Sequence, residues 1–119
     1  MTQKELLKEV EETYKKGLEI IKVKNNDYAG GDDAFKNFRS ASVAGITPER
    51  AIIVRILDKL SRISNLLDKE ASVKDESIED TLIDLCNYTA ILKAYLKDKN
   101  ETRKKQNEFR EYTEFEGQR

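Results

Sequence analysis

Residues 75–96 carry polar groups at a spacing that could do chemistry. On an α-helix, which advances 100° per residue, Glu76, Asp80, Asp84 and Asn87 fall within an arc of roughly 80°. Carboxylate oxygens are preferred ligands of magnesium, and a bound magnesium ion can activate water against a phosphate group. The pattern therefore predicts three catalytic, magnesium-binding carboxylates, with the asparagine as a ligand-binding residue.

The same arc also contains apolar side chains. Ile83, Ile91 and Ala94 fall in or beside it, although the opposite face of the helix already carries an apolar stripe suited to a core. An acidic face that is exposed to water would not need these apolar residues, so we interpret the acidic face as the lining of a cleft.

A basic stripe is expected on the preceding helix, which we place at residues 47–68 because Thr47-Pro48-Glu49 is a strong helix start. Arg55, Lys59 and Arg62 recur there at helical spacing and would take phosphate oxygens, while Asp58 would help to hold the metal. The linker between the two helices, residues 69–77, is short, so we expect an antiparallel pair. The alternative interpretation is a salt-bridge network on the surface of a bundle.

The Gly-rich loop at residues 24–33, KNNDYAGGDD, is followed closely by the aromatic Phe38. Backbone amides of a Gly-Gly turn can cradle an anion, asparagine offers donors and acceptors, and aromatic rings offer surfaces for a base. The ligand-binding candidates here are Lys24, Asn25, Asp27, Tyr28 and Phe38. A plain connecting loop with a packed tyrosine is the alternative.

These residues need helices to position them, and no credible strand is present. A capping box of Thr2 and Glu5 begins a first helix at about residues 3–23, and residues 34–43 could form a short helix that Gly45 stops. We predict an all-α fold: a compact bundle of three long helices and one short helix over residues 1–96. Residues 97–119 form a charged tail, expected to be a frayed or separately docked helix that serves self-association.

Composition excludes several classes of function. Histidine is absent and Cys86 is the only cysteine, which removes histidine bases, histidine-ligated zinc and intramolecular disulfides. The net charge of −1 makes direct nucleic-acid binding unlikely on electrostatic grounds. Without a long apolar run or a signal-peptide pattern, we expect a cytoplasmic protein with no membrane contact. Apolar residues on both faces of one helix predict a homodimer or a higher homo-oligomer.

Four ordered motifs resemble those of the nucleotide-modification-associated domain family, the first of that name, found in bacteria and their phages. They are K-x-x-DY-x-G from Lys24, NF from Asn37, R-x-x-DK-x-x-R from Arg55 and DESIEDTLIDLCNY from Asp75. The resemblance covers about residues 5–96 and implies a small helical domain tied to nucleotide metabolism or modification, with no assigned reaction.

The chain is also similar in outline to the MazG-like all-helical pyrophosphohydrolases, whose Glu-x-x-Glu and Glu-x-x-Asp motifs bind magnesium. Glu76-x-x-Glu79 and Asp80-x-x-x-Asp84 approximate these motifs, but no clean Glu-x-x-Asp follows. Three functions stay open: a magnesium-dependent nucleotide pyrophosphohydrolase, a phage anti-defence protein that sequesters a nucleotide or cyclic-nucleotide immune signal, and a structural homodimerising module.

Overall fold

The structure, a computed structural model, describes residues 1–28, 33–69 and 76–117, with only the backbone described for residues 25–28, 76 and 77. Four α-helices and one 3₁₀ helix account for almost all of these residues, so the predicted all-α fold is confirmed. The helices are α1 (Gln3–Tyr28), α2 (Lys36–Arg39), the 3₁₀ helix η1 (Ser40–Ala44), α3 (Pro48–Leu67) and α4 (Glu76–Gly117).

Local signals begin and end these helices where the sequence predicts. Thr2 and Glu5 form the reciprocal capping box, with N···O distances of 3.1 and 3.2 Å. Gly45 ends η1 with a φ of 74°, a left-handed conformation that glycine adopts without a steric penalty. Proline opens α3 at Pro48. By contrast, α1 continues to Tyr28, beyond its expected end near residue 23, and includes the first part of the predicted loop.

Helix α4 is the centre of the fold. It contacts both α1 and α3, whereas α1 and α3 do not pack against each other within the described part of the chain. The buried apolar side chains are Ile52 of α3 and Ile78, Ile83 and Tyr95 of α4. Ile83 is only 3% exposed, because the face of α4 that carries it is the face that α1 covers near Gly17.

Much of the apolar surface of the helices remains exposed. Every residue of α1 before Thr13 is exposed, as are Ile53, Leu60 and Leu67 of α3. Leu82 and Leu96 of α4 are exposed too, so the prediction that the apolar stripe of this helix is buried in a core is wrong for these two residues in one chain alone. The physical reason is that, within the described residues, α1 packs against α4 alone and α3 packs against α4 and the short segment of α2 and η1, so large parts of their apolar surfaces stay uncovered there.

The tail is continuous with α4 instead of forming a separate helix. Helix α4 has 42 residues, and every residue from 96 to 117 is exposed. The molecule is consequently 72 Å long, with a radius of gyration of 19.7 Å; a compact domain of this length would have about 13.5 Å. Within the described residues, no helix combines the length and apolar character that crossing a membrane requires.

Candidate functional site: a cavity between α1, α2 and α4

A close approach of two helices forms one wall of the site. The side-chain nitrogen Nδ2 of Asn87 in α4 donates a hydrogen bond to the carbonyl oxygen of Gly17 in α1, at 3.1 Å. A Cβ atom at position 17 would lie only 2.7 Å from Oδ1 of Asn87, so glycine permits this approach. The contact places Ile21 and Lys24, one and two helical turns further along α1, beside α4.

Asp84 joins three helices through its carboxylate. Its Oδ2 lies 3.3 Å from Nζ of Lys59 in α3, and its Oδ1 lies 3.9 Å from Nζ of Lys24 in α1. The Asp84 side chain is 25% exposed, so the shorter ion pair in particular is partly shielded from water. Two ammonium groups and one carboxylate leave the cluster with a charge of +1.

The segment that faces α4 across the site is fixed by aromatic and charged contacts. The rings of Phe35 and Tyr95 meet edge to face, with centroids 5.3 Å apart and planes at 80°. The guanidinium of Arg39 lies 6.0 Å from the centre of the Tyr95 ring and forms an ion pair of 2.6 Å with Asp33. This hydrogen bond from Arg39 is the main reason that the pKa of Asp33 lies below its usual value. The backbone nitrogen of Phe35 also donates to Asp33, at 3.1 Å.

Between these walls lies a cavity of about 280 Å³. Its polar lining residues come from three separate segments of the chain and are Lys24, Asn37, Asp84 and Asn87. Its larger apolar and aromatic lining residues are Ile21, Phe35, Phe38, Tyr88 and Ile91, with Ala34 and Ala94 beside them. A mostly apolar cavity with a few convergent polar groups is the usual form of a small-molecule site, and this volume is near the lower end of the common range.

The structure brings some of the predicted site residues together. Lys24, Phe38, Asp84 and Asn87 all line the cavity, and Lys59 reaches its edge through Asp84. Asn87 has a second role that its type and spacing did not indicate, since its amide joins α4 to α1.

Other predicted residues lie elsewhere. Arg55, Asp58, Arg62 and Asp80 are exposed and do not line the cavity, although Lys59 shares the predicted stripe with the first three of them. Predicted residues whose side chains fall outside the described part of the structure are Asn25, Asp27, Tyr28 and Glu76.

The predicted magnesium site remains a prediction. Among the side chains that the structure describes, no three carboxylate or thiol groups lie close enough together to hold a metal ion. The Glu76 side chain is not among them. Both oxygens of Asp84 face lysine ammonium groups, so a metal ion at this carboxylate would have to displace at least one of them.

Two aromatic residues of the cavity were not predicted as site residues. Tyr88 follows Asp84 by four residues, so the helical spacing used for Asp80 and Asp84 would also have placed it on the same face of α4. Phe35 precedes the predicted Phe38 by three residues and turns toward Tyr95 of α4. Helical spacing on α4 therefore indicates Tyr88 as well, although the sequence prediction for this helix contains only the carboxylates and the Asn87 amide.

The comparison with known protein families concerns the same region of the chain. The family model described as Nucleotide modification associated domain 1 matches residues 24–94, which is more than half of the 119 residues. This segment contains every lining residue of the cavity except Ile21. Searches of curated proteins and of solved structures give no significant match. The similarity to MazG-like enzymes stays a prediction, whereas the family match is decisive: the chain belongs to the Nucleotide modification associated domain 1 family.

Proposed function

We propose that this protein binds a nucleotide, or a phosphate compound derived from one, in the cavity between α1, α2 and α4. The observation that carries the proposal is the meeting of aromatic side chains with the Lys24–Asp84–Lys59 cluster at one cavity. A nucleotide presents a planar base and an anionic phosphate, and this arrangement offers a partner for each. The family description, which refers to nucleotide modification, agrees with this class of ligand.

The base is assigned to the aromatic side of the cavity. Phe38 and Tyr88 line it from opposite elements, the short helix α2 and the central helix α4. Ring faces stack on any base, while the amide of Asn37 offers both a donor and an acceptor for the edge of the base. These contacts would fix the orientation of the ligand.

The phosphate is assigned to the lysine side. Asp84 holds the ammonium groups of Lys24 and Lys59 near one another, and the side chains of these lysines are 54% and 26% exposed. A phosphate oxygen can therefore reach Lys24 without displacing the carboxylate. A charge of +1 on the cluster attracts the anion, and the partial exclusion of water strengthens that attraction.

Binding without hydrolysis fits the described site better than catalysis does. Both oxygens of Asp84 already face a lysine, and a carboxylate engaged in this way is a poor candidate for a magnesium ligand. Retention of an intact ligand is the expected behaviour of a sequestering protein, which makes that predicted role the leading one for this site.

The test is calorimetry of the full chain with nucleoside monophosphates, nucleoside triphosphates and cyclic dinucleotides, each in EDTA and in magnesium. We expect at least one of these ligands to bind in EDTA and to be recovered intact by mass spectrometry. Lys24→Ala and Phe38→Ala should each weaken its binding by about tenfold, equivalent to about 1.4 kcal/mol.

Matched controls are Lys22→Ala and Val43→Ala, because both residues are exposed and neither lines the cavity. Both controls should bind as the wild type does. Failure of every ligand to bind would refute the proposal. If a ligand is cleaved, and only when magnesium is present, the function of the site is hydrolysis and not sequestration.

A further inference from the structure

The C-terminal half of α4, residues 97–117, is here named the tail helix. All of its residues are exposed, and its large side chains include Phe109, 71% exposed, and Tyr112, 64% exposed. Most of the stability of helices in proteins comes from packing of an apolar face. Within the described residues, the first turn of the tail helix is held by the ion pair of Lys99 with Glu49 of α3, at 3.2 Å, and a partner could cover its exposed aromatic side chains.

Charge is segregated along the tail helix. Residues 97–105 contain five basic and two acidic side chains, a net charge of +3, whereas residues 106–117 contain four acidic and one basic, a net charge of −3. The acidic half lies at the C-terminus of α4, where the helix dipole disfavours negative charge, and the last turn has no basic residue. Cations that approach this half from a second helix would therefore stabilise it, in addition to Arg110 of its own helix.

We propose that the tail helix pairs in antiparallel orientation with the tail helix of a second copy of this chain. Antiparallel pairing sets each basic half against the acidic half of the other copy. Parallel pairing would set +3 against +3 and −3 against −3, which is repulsive. One chain thus contains both halves of a self-complementary interface with two-fold symmetry.

The contact face combines the Phe109 ring with smaller side chains and with the carbon stems of longer ones. Thr102, Phe109 and Thr113 lie within about 40° of one another on the helix and line one shallow depression formed by α4 alone. The carbon stems of Lys105 and Arg110 flank the same depression and can cover the rings while their charges remain in water.

The surface area of the chain supports association. Its accessible surface is 9893 Å², whereas a folded monomer of its mass would expose about 6,600 Å². A stable interface buries about 800 Å² on each partner. The accessible surface that the chain exposes beyond that of a folded monomer is larger than this area. With a net charge of −1, two copies do not repel each other at long range.

Charge reversal tests the pairing. Variant one, R103E/K104E/K105E, makes both halves acidic, and variant two, E108K/E111K/E114K, makes both halves basic. Glu and Lys have similar helix propensities, so circular dichroism should show little change in helix content from the substitutions themselves. By sedimentation at low salt, each variant should dimerise at least about tenfold more weakly than the wild type. An equimolar mixture should form heterodimers, which native mass spectrometry resolves by mass.

Cysteine cross-linking tests the orientation. In a Cys86→Ser background, Gln106→Cys lies near the point where the charge changes sign and should form a disulfide-linked dimer on mild oxidation. Thr113→Cys should not, because its two copies would be about 22 Å apart in an antiparallel pair. Cross-linking of both variants would overturn the antiparallel orientation. A monomeric wild type, or a dimer that neither charge reversal weakens, would overturn the proposed interface.

Discussion

Asn87 and Gly17 bind α4 to α1 at the wall of the cavity, with the amide nitrogen 3.1 Å from the carbonyl oxygen. The bond depends on the absence of a side chain at Gly17, where a Cβ would lie 2.7 Å from the Asn87 oxygen. Asn87, which the sequence predicts as a ligand-binding residue, therefore also determines how the helices pack. The same hydrogen bond thus packs α4 against α1 and positions a lining residue of the proposed binding site.

Gly17→Ala is expected to have opposite effects in two backgrounds. In the wild type the new methyl group displaces Asn87, and we expect the free energy of unfolding to fall by about 1 kcal/mol. In an Asn87→Ala background the asparagine side chain is absent. The higher helix propensity of alanine at position 17 should then raise the free energy of unfolding by about 0.5–1 kcal/mol. Urea unfolding of the four proteins of this double-mutant cycle measures the coupling. Equal effects in both backgrounds would show that Asn87 does not restrict position 17.

Asp84→Asn tests how the charge of the Lys24–Asp84–Lys59 cluster affects ligand binding. The substitution leaves Lys24 and Lys59 without their shared carboxylate, so we expect a loss of about 1 kcal/mol in the free energy of unfolding. It also raises the charge of the cluster by one unit, and phosphate ligands should bind about threefold more tightly. Calorimetry in EDTA measures this effect, with Asp58→Asn, an exposed residue outside the cavity, as control. Complete loss of ligand binding would contradict the proposed role of Asp84 in the cluster.

Tyr95 should link the stability of the fold to the shape of the cavity. It is 7% exposed and contacts Phe35 and Arg39, whose segment carries one wall of the cavity. Tyr95→Ala should lower the free energy of unfolding by about 3 kcal/mol and weaken ligand binding. Tyr95→Phe keeps the ring and should lower it by less than about 1 kcal/mol. If the two variants were equally unstable in urea, the ring contacts would not be the source of the stability.

The contacts of Glu49 predict that the free energy of unfolding depends on pH in the acid range. The Thr47 hydroxyl first, and then the Lys99 ammonium at 3.2 Å, lower the pKa of Glu49 below its ordinary value of 4.5. A carboxyl group with a lowered pKa in the folded state contributes stability above its ordinary pKa, and this contribution disappears as the pH falls through the folded value. Glu49→Gln should therefore reduce stability at pH 7 and flatten the acid dependence below about pH 4.5. The measurement is urea unfolding across pH 3–7, with the exposed Glu11→Gln as control. Parallel curves for Glu49→Gln and the wild type would refute the assignment.

Local signals in the sequence determined the helical class and most helix boundaries. The capping box at Thr2, the proline at the start of α3 and the glycine that ends η1 act within a few residues, so they can be recognised without a tertiary structure. The length of α1 and the continuation of α4 through the tail were not recognised. Polar and charged residues are compatible with either a helix or a loop, and the local pattern did not decide between them.

Only the tertiary structure decided which predicted site residues meet. Helical spacing places Arg55, Lys59 and Arg62 on one stripe, but spacing contains no information about which helix faces that stripe. Lys59 meets Asp84 because α3 packs on α4, whereas the two arginines remain exposed. The same limit applies to the apolar stripes, since a stripe becomes core only where another surface covers it. The sequence by itself therefore determined the helical class, the family and the candidate residues, while packing brought Lys24, Asp84 and Lys59 together and left the tail helix exposed.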